Sequence, residues 1–170
     1  IATYHFSEYH WSNGYNEIIG NGRSNRHYLG DNGNVISEKN GDDYVVLGLG
    51  NDEVLLGNGY NTISFQSGSD ISLNLGAAFD RVAQSTGEGL DTLAVFSVNE
   101  VITSSGNDDI NGNPLDNVIS TGKGNDTINS GQGNDIVNAG LGDDFINTSH
   151  GYDILIFGDH NVTDNPDLFL

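Results

Sequence analysis

Residues 121–147 read TGKGNDTIN, SGQGNDIVN and AGLGDDFIN, three successive segments of nine residues with one shared pattern. Each segment has Gly at its second and fourth positions, Asp at its sixth and an aliphatic residue at its eighth. The frame continues without a slip through residues 103–156, which gives six segments in all. A repeat of fixed length predicts a stack of similar structural units, in which each unit packs against its neighbours.

A second block of the same repeat covers residues 29–73 and is less regular. Its sixth positions are a mixture of two amide and three acid side chains: Asn34, Asp43, Asp52, Asn61 and Asp70. Its eighth positions are aliphatic except for the last: Ile36, Val45, Val54, Ile63 and Ser72. We interpret residues 29–73 as a first repeat block and residues 103–156 as a second.

The remaining segments fit the frame poorly. Residues 1–28 are interpreted as an N-terminal cap with degenerate repeats, and residues 157–170 as a C-terminal flank. Residues 74–102 lose the Gly-Asx-Asp turn, and the frames of the two blocks differ by two residues, although ISLNL and DTLAVFSV have strand-like patterns. We therefore predict a connecting coil with an insertion there, within one continuous solenoid.

The repeat predicts an all-β fold, a parallel β-roll of stacked nonapeptide units. A strand of three residues points one side chain inward, which accounts for the aliphatic eighth position. The turn that follows needs glycine where φ is positive or where backbones approach closely. Two such units make one flattened coil, so that stacked coils form two parallel sheets with equivalent Asp residues about 4.8 Å apart.

The composition favours a cation as partner. The chain has 24 Asp and Glu residues against 5 Lys and Arg, a formal net charge of −19, and no Cys. This balance excludes a nucleic-acid partner and an anionic membrane surface, and the absence of Cys excludes thiolate metal sites. Stacked carboxylates repel each other unless a cation lies between them. Carboxylate and carbonyl oxygens suit several Ca²⁺ ions better than Mg²⁺ or Zn²⁺.

The pattern GxGxDxUx at a nine-residue step resembles the repeats-in-toxin (RTX) family, the hemolysin-type calcium-binding repeats. The resemblance covers about residues 29–73 and 94–156. It implies a right-handed parallel β-roll that binds Ca²⁺ in the turns between coils. The carboxylate ligands it implies are Asp43, Asp52, Asp70, Asp108, Asp126, Asp135, Asp144 and Asp153, with Asn117 as an uncharged member. The backbone carbonyl ligands it implies belong to Gly48, Gly50, Gly106, Gly122, Gly124, Gly131, Gly133, Gly140 and Gly142.

Four pairs of acids are expected to make the best sites: Asp108 with Asp126, Asp126 with Asp144, Asp135 with Asp153, and Asp52 with Asp70. Asn34, Asn61 and Asn117 supply an oxygen without a charge, so sites there are expected to be weaker or empty. The rival interpretation is that the acids are turn formers, since Asp and Asn favour turns on their own. Six turns in register favour metal binding over that interpretation.

The resemblance implies a non-catalytic module of a larger bacterial protein that is secreted in an unfolded state through a type I secretion apparatus. Such a module folds outside the cell when it binds Ca²⁺. It then supports maturation of an attached toxin, protease, lipase or adhesin. The alternative is a Ca²⁺-rigidified adhesin or ligand-binding stalk with a cell-surface or glycan ligand. An enzyme is disfavoured because the acidic pairs are explained by the repeat and the sequence has no nucleophile motif.

The N-terminal region has the only basic spot, formed by Arg23, Arg26 and His27, near several aromatic residues that include Trp11. Aromatic side chains beside basic groups could hold an acidic sugar. The alternative interpretation is a cap on the open end of the stack, since terminal repeats are atypical. No stretch of the sequence approaches the length of a membrane-spanning helix.

Overall fold

The fold is known from a computed structural model, which describes residues 2–3, 8–10, 14–76 and 82–157. In this part of the chain the secondary structure is β-strand, apart from a three-residue 3₁₀ turn at Val95–Ser97. Short parallel strands stack into a β-solenoid of about 8 turns. The predicted all-β parallel roll is thereby confirmed. Among the described residues, no helix is long and apolar enough to cross a membrane.

One face of the roll is an eight-stranded parallel sheet. Its strands, in spatial order, are β2 (Glu8–His10), β4 (Arg26–Tyr28), β6 (Tyr44–Leu47), β8 (Asn61–Phe65), β12 (Val98–Ile102), β14 (Val118–Ser120), β16 (Ile136–Gly140) and β18 (Ile154–Phe157).

The opposite face is divided into two sheets. The six-stranded sheet has the order β1 (Ala2–Thr3), β3 (Glu17–Ile19), β5 (Val35–Ser37), β7 (Glu53–Leu55), β11 (Leu90–Leu93) and β10 (Val82–Ser85). The four-stranded sheet has the order β9 (Ser72–Asn74), β13 (Asp109–Asn111), β15 (Thr127–Asn129) and β17 (Phe145–Asn147). Among the described strands, each pairing is parallel except that of β10 with β11.

The eighth position of the repeat forms the core. Equivalent residues pair across neighbouring coils, as Ile110 does with Ile128 and Ile119 with Val137. The side chains at this position are partly buried in the last described coil, at Ile146 and Leu155, and are 0–1% exposed through most of the stack: Ile36, Val45, Val54, Ile63, Leu73, Leu93, Val101, Ile110, Ile119, Ile128 and Val137. One column of aliphatic side chains from each face therefore forms the centre of the core, and first-position residues such as Leu47, Leu56 and Phe65 pack beside it.

Residues 74–102 contain a repeat that the frame of the two blocks conceals. Residues 86–94 read TGEGLDTLA, with Gly87 and Gly89 at the second and fourth positions, Asp91 at the sixth and Leu93 at the eighth. Strand β11 begins within this segment and pairs with β7 in parallel. The expectation that the turn is lost between the blocks was wrong, because an insertion shifts the frame and hides the motif.

The insertion adds a reversed strand to one face. Strand β10 runs antiparallel to β11, and β9 lies on its other side, where the Ser72 N–H donates to the Thr86 carbonyl at 3.4 Å. Three strands therefore lie between β7 and β13 on this face. On the opposite face β12 alone lies between β8 and β14. This local mismatch explains why one face is a continuous sheet and the other is divided.

His27 does not contribute to a basic surface. It occupies an eighth position, where its imidazole is buried against the ring of Tyr9 at 5.1 Å between centroids. Its Nε2 atom lies 2.6 Å from Oε1 of Glu38, which is also buried. The predicted spot is reduced to Arg23 and the exposed Arg26. Trp11 lies outside the described residues, so the expected aromatic end is not tested.

Candidate metal centres

The sixth-position residues form a buried hydrogen-bonded row, which we call the inner row. The backbone N–H of each member donates to the side-chain Oδ1 of the equivalent residue one coil further on. Examples are Asp108 to Asp126 at 2.8 Å, Asp126 to Asp144 at 3.0 Å and Asp135 to Asp153 at 2.9 Å. These contacts join residues separated by 18 positions, which is the length of one coil. Three of the four predicted acid pairs are therefore neighbours in space.

The fifth-position residues form an exposed second row with the opposite hydrogen-bond direction. Here the backbone N–H donates to the side chain of the preceding coil, as Asn125 does to Asn107 at 2.9 Å and Asn134 to Asp116 at 2.7 Å. This outer row satisfies backbone donors at the surface of each turn. Its side chains are exposed, and their occurrence is explained by turn stabilisation.

The inner row contains turns of two kinds. In an Asn turn the amide Nδ2 donates to carbonyl oxygens of the same turn. Asn61 Nδ2 donates to the carbonyls of Gly57 at 3.0 Å and Gly59 at 3.4 Å, which are the second and fourth positions of its repeat. It also donates to the Ser97 carbonyl of the next coil at 3.0 Å.

Asn34 repeats this arrangement on the other edge of the roll. Its Nδ2 donates to the carbonyls of Gly30 and Asn32 and to Oδ1 of Asp52, the last at 3.0 Å. The second- and fourth-position carbonyls therefore point toward the sixth-position side chain. In an Asn turn one NH₂ group occupies the point where these oxygens converge.

In an Asp turn the equivalent atom is a carboxylate oxygen, which has no proton to donate when ionised. The Oδ2 atoms of Asp43, Asp52 and Asp126 are buried and have no hydrogen-bond partner. Their Oδ1 atoms accept backbone N–H groups from the preceding coil at 2.8 Å. An ionised carboxylate here is buried with one oxygen unsatisfied, which is unfavourable unless a cation binds it.

Burial raises the pKa of these acids. The pKa of Asp52 is raised to about 7, mainly by burial and further by the nearby Asp91 and Glu88 carboxylates, while hydrogen bonds from Asn34 oppose the shift. The pKa of Asp43 is raised to about 6 by burial, against the hydrogen bond from Asn25. Burial also raises the pKa of Asp91, Asp108 and Asp135. The row is electrostatically unfavourable by itself and suited to positive charge.

The fourth-position glycines allow the turns to stack closely. Gly124 has φ of 134°, and a Cβ atom there would lie 1.6 Å from the Gly106 carbonyl oxygen. The same relation holds between Gly142 and the Gly124 carbonyl. Only glycine permits the carbonyl of one coil to approach the next turn so closely. The predicted carbonyl ligands thus lie at the interface between coils.

The other predicted carbonyl ligands also lie in these turns. The second-position carbonyls of Gly122 and Gly131 accept N–H groups from the next coil, from Leu141 at 2.8 Å and His150 at 3.4 Å. Each carbonyl oxygen retains a second lone pair. The remaining members of the set occupy equivalent second or fourth positions: Gly48, Gly50, Gly133 and Gly140.

Asp70 lies outside the inner row. Strand β9 pairs with β13 through Leu73 opposite Ile110, so that the frame here begins one residue later than the spacing predicts. Ile71 takes the sixth position, and its N–H donates to Oδ1 of Asp108 at 2.8 Å. Asp70 is exposed in the outer row, where its Oδ1 accepts from Asn107 at 2.7 Å. The structure therefore does not form the predicted Asp52–Asp70 pair.

The predicted ligands of the second block differ from one another in burial and in hydrogen bonding. Oδ2 of Asp108 accepts a hydrogen bond from Thr103 at 2.5 Å, so this acid is partly satisfied. Asp144 and Asp153 belong to the last described coil and are half-buried. The Nδ2 atom of Asn117 donates to the Val98 and Asn99 carbonyls, both at 3.4 Å, and to Asn113 Oδ1 at 3.1 Å. Asn117 thus has its own donors engaged.

Side chains alone do not make a complete metal cage in this roll. Among the described ranges, no group of three or more His, Asp or Glu residues is arranged to hold a metal ion. A site in an inner-row turn would therefore combine two carboxylates with backbone carbonyls. Such an all-oxygen set fits a hard cation of flexible coordination, which is Ca²⁺ rather than Zn²⁺.

Comparisons with known proteins agree with this geometry. Residues 39–71 and 111–146 match the family of RTX calcium-binding nonapeptide repeats, in four copies. No curated protein and no solved structure gives a significant match to the chain. The matched repeats and the stacked parallel strands together identify the fold. The chain carries RTX calcium-binding repeats, and these repeats form an RTX β-roll.

Proposed function

We propose that this module is a non-catalytic calcium-dependent folding unit, which is unfolded at low Ca²⁺ and forms the roll when Ca²⁺ binds in its Asp turns. The single observation that supports this most strongly is the contrast within the inner row. Asn61 places a donor amide against the carbonyls of Gly57 and Gly59, whereas Asp52 and Asp126 place a buried, unpartnered oxygen at the equivalent point. In an Asp turn, a bound cation would supply the positive charge that the amide protons of Asn61 supply to the carbonyl oxygens of its own turn.

Each ion would be held by an Asp, by the second- and fourth-position carbonyls of the same turn, and by the Asp of the next coil. For Asp126 these carbonyls belong to Gly122 and Gly124, and the next Asp is Asp144. The bound ion supplies positive charge that neutralises the stacked acids. Because the ligands converge only when two coils are stacked, the free energy of binding becomes free energy of folding.

The net charge also predicts that the ion-free chain is unfolded. At −19 the chain repels itself, and few basic residues compensate. A chain that stays expanded in a compartment with little free Ca²⁺ and folds in a calcium-rich exterior is suited to export before folding. The proposed role is therefore to support secretion and maturation of a larger extracellular bacterial protein, with the rest of that protein and a type I secretion apparatus as partners.

The experiment is a Ca²⁺ titration of the purified chain, followed by circular dichroism and by hydrodynamic radius. We expect a small strand signal and a large radius in EDTA, and a cooperative transition to a compact strand-rich state as Ca²⁺ is added. Mg²⁺ at the same concentration is the matched control and should be much less effective. A full strand signal and an unchanged radius in EDTA would reject the proposal.

A second candidate function is a calcium-rigidified adhesin or ligand-binding stalk, and one surface favours it. A groove of about 560 Å³ lies on the outer surface of the eight-stranded sheet and is lined by Arg26, Tyr44, Tyr60 and Glu100 among others. The Arg26 guanidinium lies 5.1 Å from the centre of the Tyr44 ring. Aromatic faces beside charged groups are suited to sugar rings.

The test for this candidate is glycan-array binding by the calcium-loaded protein and by the variant Tyr44→Ala. Val118→Ala, on the outer side of the same sheet but outside the groove, is the control. Binding that is lost in Tyr44→Ala and retained in Val118→Ala would favour the stalk. Absence of any glycan binding by the wild-type protein would leave the folding unit as the better proposal.

A further inference from the structure

Six asparagines of the chain are followed directly by glycine: Asn13, Asn21, Asn32, Asn40, Asn58 and Asn111. This dipeptide favours deamidation, because glycine has no Cβ atom to hinder attack of its backbone nitrogen on the asparagine amide. The attack requires a backbone N–H that is free of hydrogen bonds, since the nitrogen must lose its proton. The reaction also requires an asparagine side chain that water can reach. Asn13 lies outside the described residues, and the other five can be compared on both requirements.

In two of these pairs the glycine N–H takes part in the stacking of the coils. The Gly41 N–H donates to the Asn58 carbonyl at 2.9 Å, and the Gly112 N–H donates to the Asn129 carbonyl at 2.8 Å. Each bond joins a turn to the next coil and holds the proton on the backbone nitrogen. The asparagines before these two glycines are therefore protected, although the first of them, Asn40, is exposed.

The pair Asn58–Gly59 differs because the coil that follows it is irregular. The bond that protects Gly41 would need an equivalent acceptor there, but the 3₁₀ turn Val95–Ser97 stands in place of the Gly-x-Gly turn. Among the described residues, the Gly59 N–H has no hydrogen-bond acceptor. Both residues of the pair are exposed, so that Asn58 meets the two requirements.

The pair Asn32–Gly33 also meets them. Asn32 is exposed, and within the described ranges the Gly33 N–H donates no hydrogen bond. Gly33 occupies a fifth position, where the N–H normally donates to the fifth-position side chain of the preceding coil. That residue is Tyr15, which has no carboxylate or amide oxygen. The remaining pair is withdrawn from water, because Oδ1 of Asn21 is buried.

From this contrast we propose that Asn32 and Asn58 are sites of spontaneous deamidation in the folded roll. The backbone nitrogen of the following glycine attacks the side-chain Cγ atom and forms a succinimide. The proton that this nitrogen loses leaves with the Nδ2 group as ammonia. Water then opens the succinimide at one of its two carbonyls, which gives aspartate or isoaspartate. The net reaction exchanges one ammonia for one water and needs no oxidant or cofactor.

The modification changes both the charge and the backbone of the turn. Each event adds a negative charge to a chain of net charge −19. Isoaspartate also adds a methylene group to the main chain. At residue 58 this disturbs the bridge to Asn40, in which the Asn58 N–H donates to the Lys39 carbonyl at 3.1 Å. Isoaspartate at this site therefore loosens the contact between two neighbouring coils, and the change accumulates with time.

The experiment incubates the wild-type protein in saturating Ca²⁺ at mildly alkaline pH and follows each asparagine by tandem mass spectrometry of its peptides. Asn40 and Asn111 are the internal controls, because they belong to the same dipeptide. We expect Asn32 and Asn58 to react faster than the controls by roughly two- to tenfold, the factor that corresponds to one hydrogen bond. A second sample in guanidinium chloride measures the unfolded chain, in which this difference should disappear.

Two variants assign the charge change to its site. Isoelectric focusing of the incubated protein should show fewer acidic species for Asn58→Gln than for the wild type, whereas Asn40→Gln should leave the pattern unchanged. Equal reaction at Asn32, Asn40, Asn58 and Asn111 in Ca²⁺ would overturn the inference. Circular dichroism of the same sample tests the proposed function separately, because a chain without a strand signal in Ca²⁺ would reject that function as well.

Discussion

The Asn61 turn and the Asp52 and Asp126 turns share a fourth-position glycine with φ of 137°, 137° and 134°, and they differ in what occupies the centre of the turn. The amide of Asn61 reaches the Gly57, Gly59 and Ser97 carbonyls, so this turn is satisfied by protein atoms alone. The Asp126 turn has a carboxylate oxygen without a donor at the equivalent point. On the proposed function, this one atom, nitrogen or oxygen, determines whether the coil needs an ion.

The two kinds of turn are unevenly distributed. The coils up to β8 have Asn at four of their sixth positions, Asn16, Asn25, Asn34 and Asn61, and Asp at two, Asp43 and Asp52. The second block has Asp at five of six, with Asn117 as the exception. On the proposed function, this distribution predicts a calcium dependence that is graded along the solenoid. The second block should depend on Ca²⁺ more strongly than the coils that precede it, and the small strand signal expected in EDTA should come from those preceding coils.

The largest expected effect follows from removing an acid shared by two sites. Asp126 lies between Asp108 and Asp144 in the inner row, so that Asp126→Ala removes a ligand from both sites. At Ca²⁺ about 100 times Kd, each lost site removes about 2.7 kcal/mol of stability. The Asp108 N–H also loses its acceptor, which costs about 1–3 kcal/mol. Chemical denaturation in Ca²⁺ should show the combined loss.

The control for this variant is Asp109→Ala, an exposed acid on β13. It has the same charge change and should alter stability by less than about 0.5 kcal/mol. Equal stabilities for the two variants in Ca²⁺ would contradict a special role for the inner row.

A change in the opposite direction should create a calcium requirement. In Asn61→Asp the donor amide becomes a carboxylate, and three hydrogen bonds to carbonyls are lost. At about 0.5–1.5 kcal/mol each, the ion-free protein should be destabilised by about 1.5–4.5 kcal/mol. Ca²⁺ should restore this loss, because the new turn has the ligands of an Asp turn.

Thermal unfolding in EDTA and in Ca²⁺ measures that difference. Asn58→Asp is the matched control, because Asn58 is an exposed residue of the same turn whose amide contacts only Asn40 Oδ1. If Asn61→Asp were equally destabilised with and without Ca²⁺, the proposed equivalence of amide and cation would be wrong.

A smaller effect is expected from pH in the absence of Ca²⁺. The pKa values of folded Asp52 and Asp43 are raised to about 7 and about 6 from an ordinary value of 3.8. The folded state therefore binds protons that the unfolded state releases. This contribution to stability is fully present below about pH 4 and is lost as pH rises through 6 to 7.

In EDTA the coils that contain Asp43 and Asp52 should accordingly be more stable at about pH 5 than at about pH 8. With Ca²⁺ present the dependence should reverse, because protons compete with the ion for the same oxygens. Circular dichroism melts at both pH values, with and without Ca²⁺, measure the two slopes. Identical melting temperatures in EDTA at both pH values would contradict the burial of these acids.

Much of this architecture could be predicted from the sequence, because the repeat determines it. The eighth-position aliphatics predict the core, and the six regular frames predict the inner row of the second block from Asp108 to Asp153. Three predicted acid pairs are neighbours in the structure. The local pattern was sufficient wherever the length of the repeat was constant.

The prediction was wrong where the length changes. A shift of one residue before β9 moves Asp70 to the outer row and places Ile71 in the inner row. The insertion that follows hides TGEGLDTLA, so Asp91 was missed, although its Gly-x-Gly-x-Asp spacing could have been found by a search free of the frame. The contact between Glu38 and His27 depends on packing between different coils, and no spacing in the sequence indicates it.

The most direct test of the central claim is amide hydrogen exchange of the wild-type protein, resolved by coil, during a Ca²⁺ titration. The expected result is little protection of residues 103–156 in EDTA, strong protection in Ca²⁺, and a smaller difference for residues 14–65. Full protection of residues 103–156 in EDTA would show that the Asp turns close without a cation. That result would contradict the account.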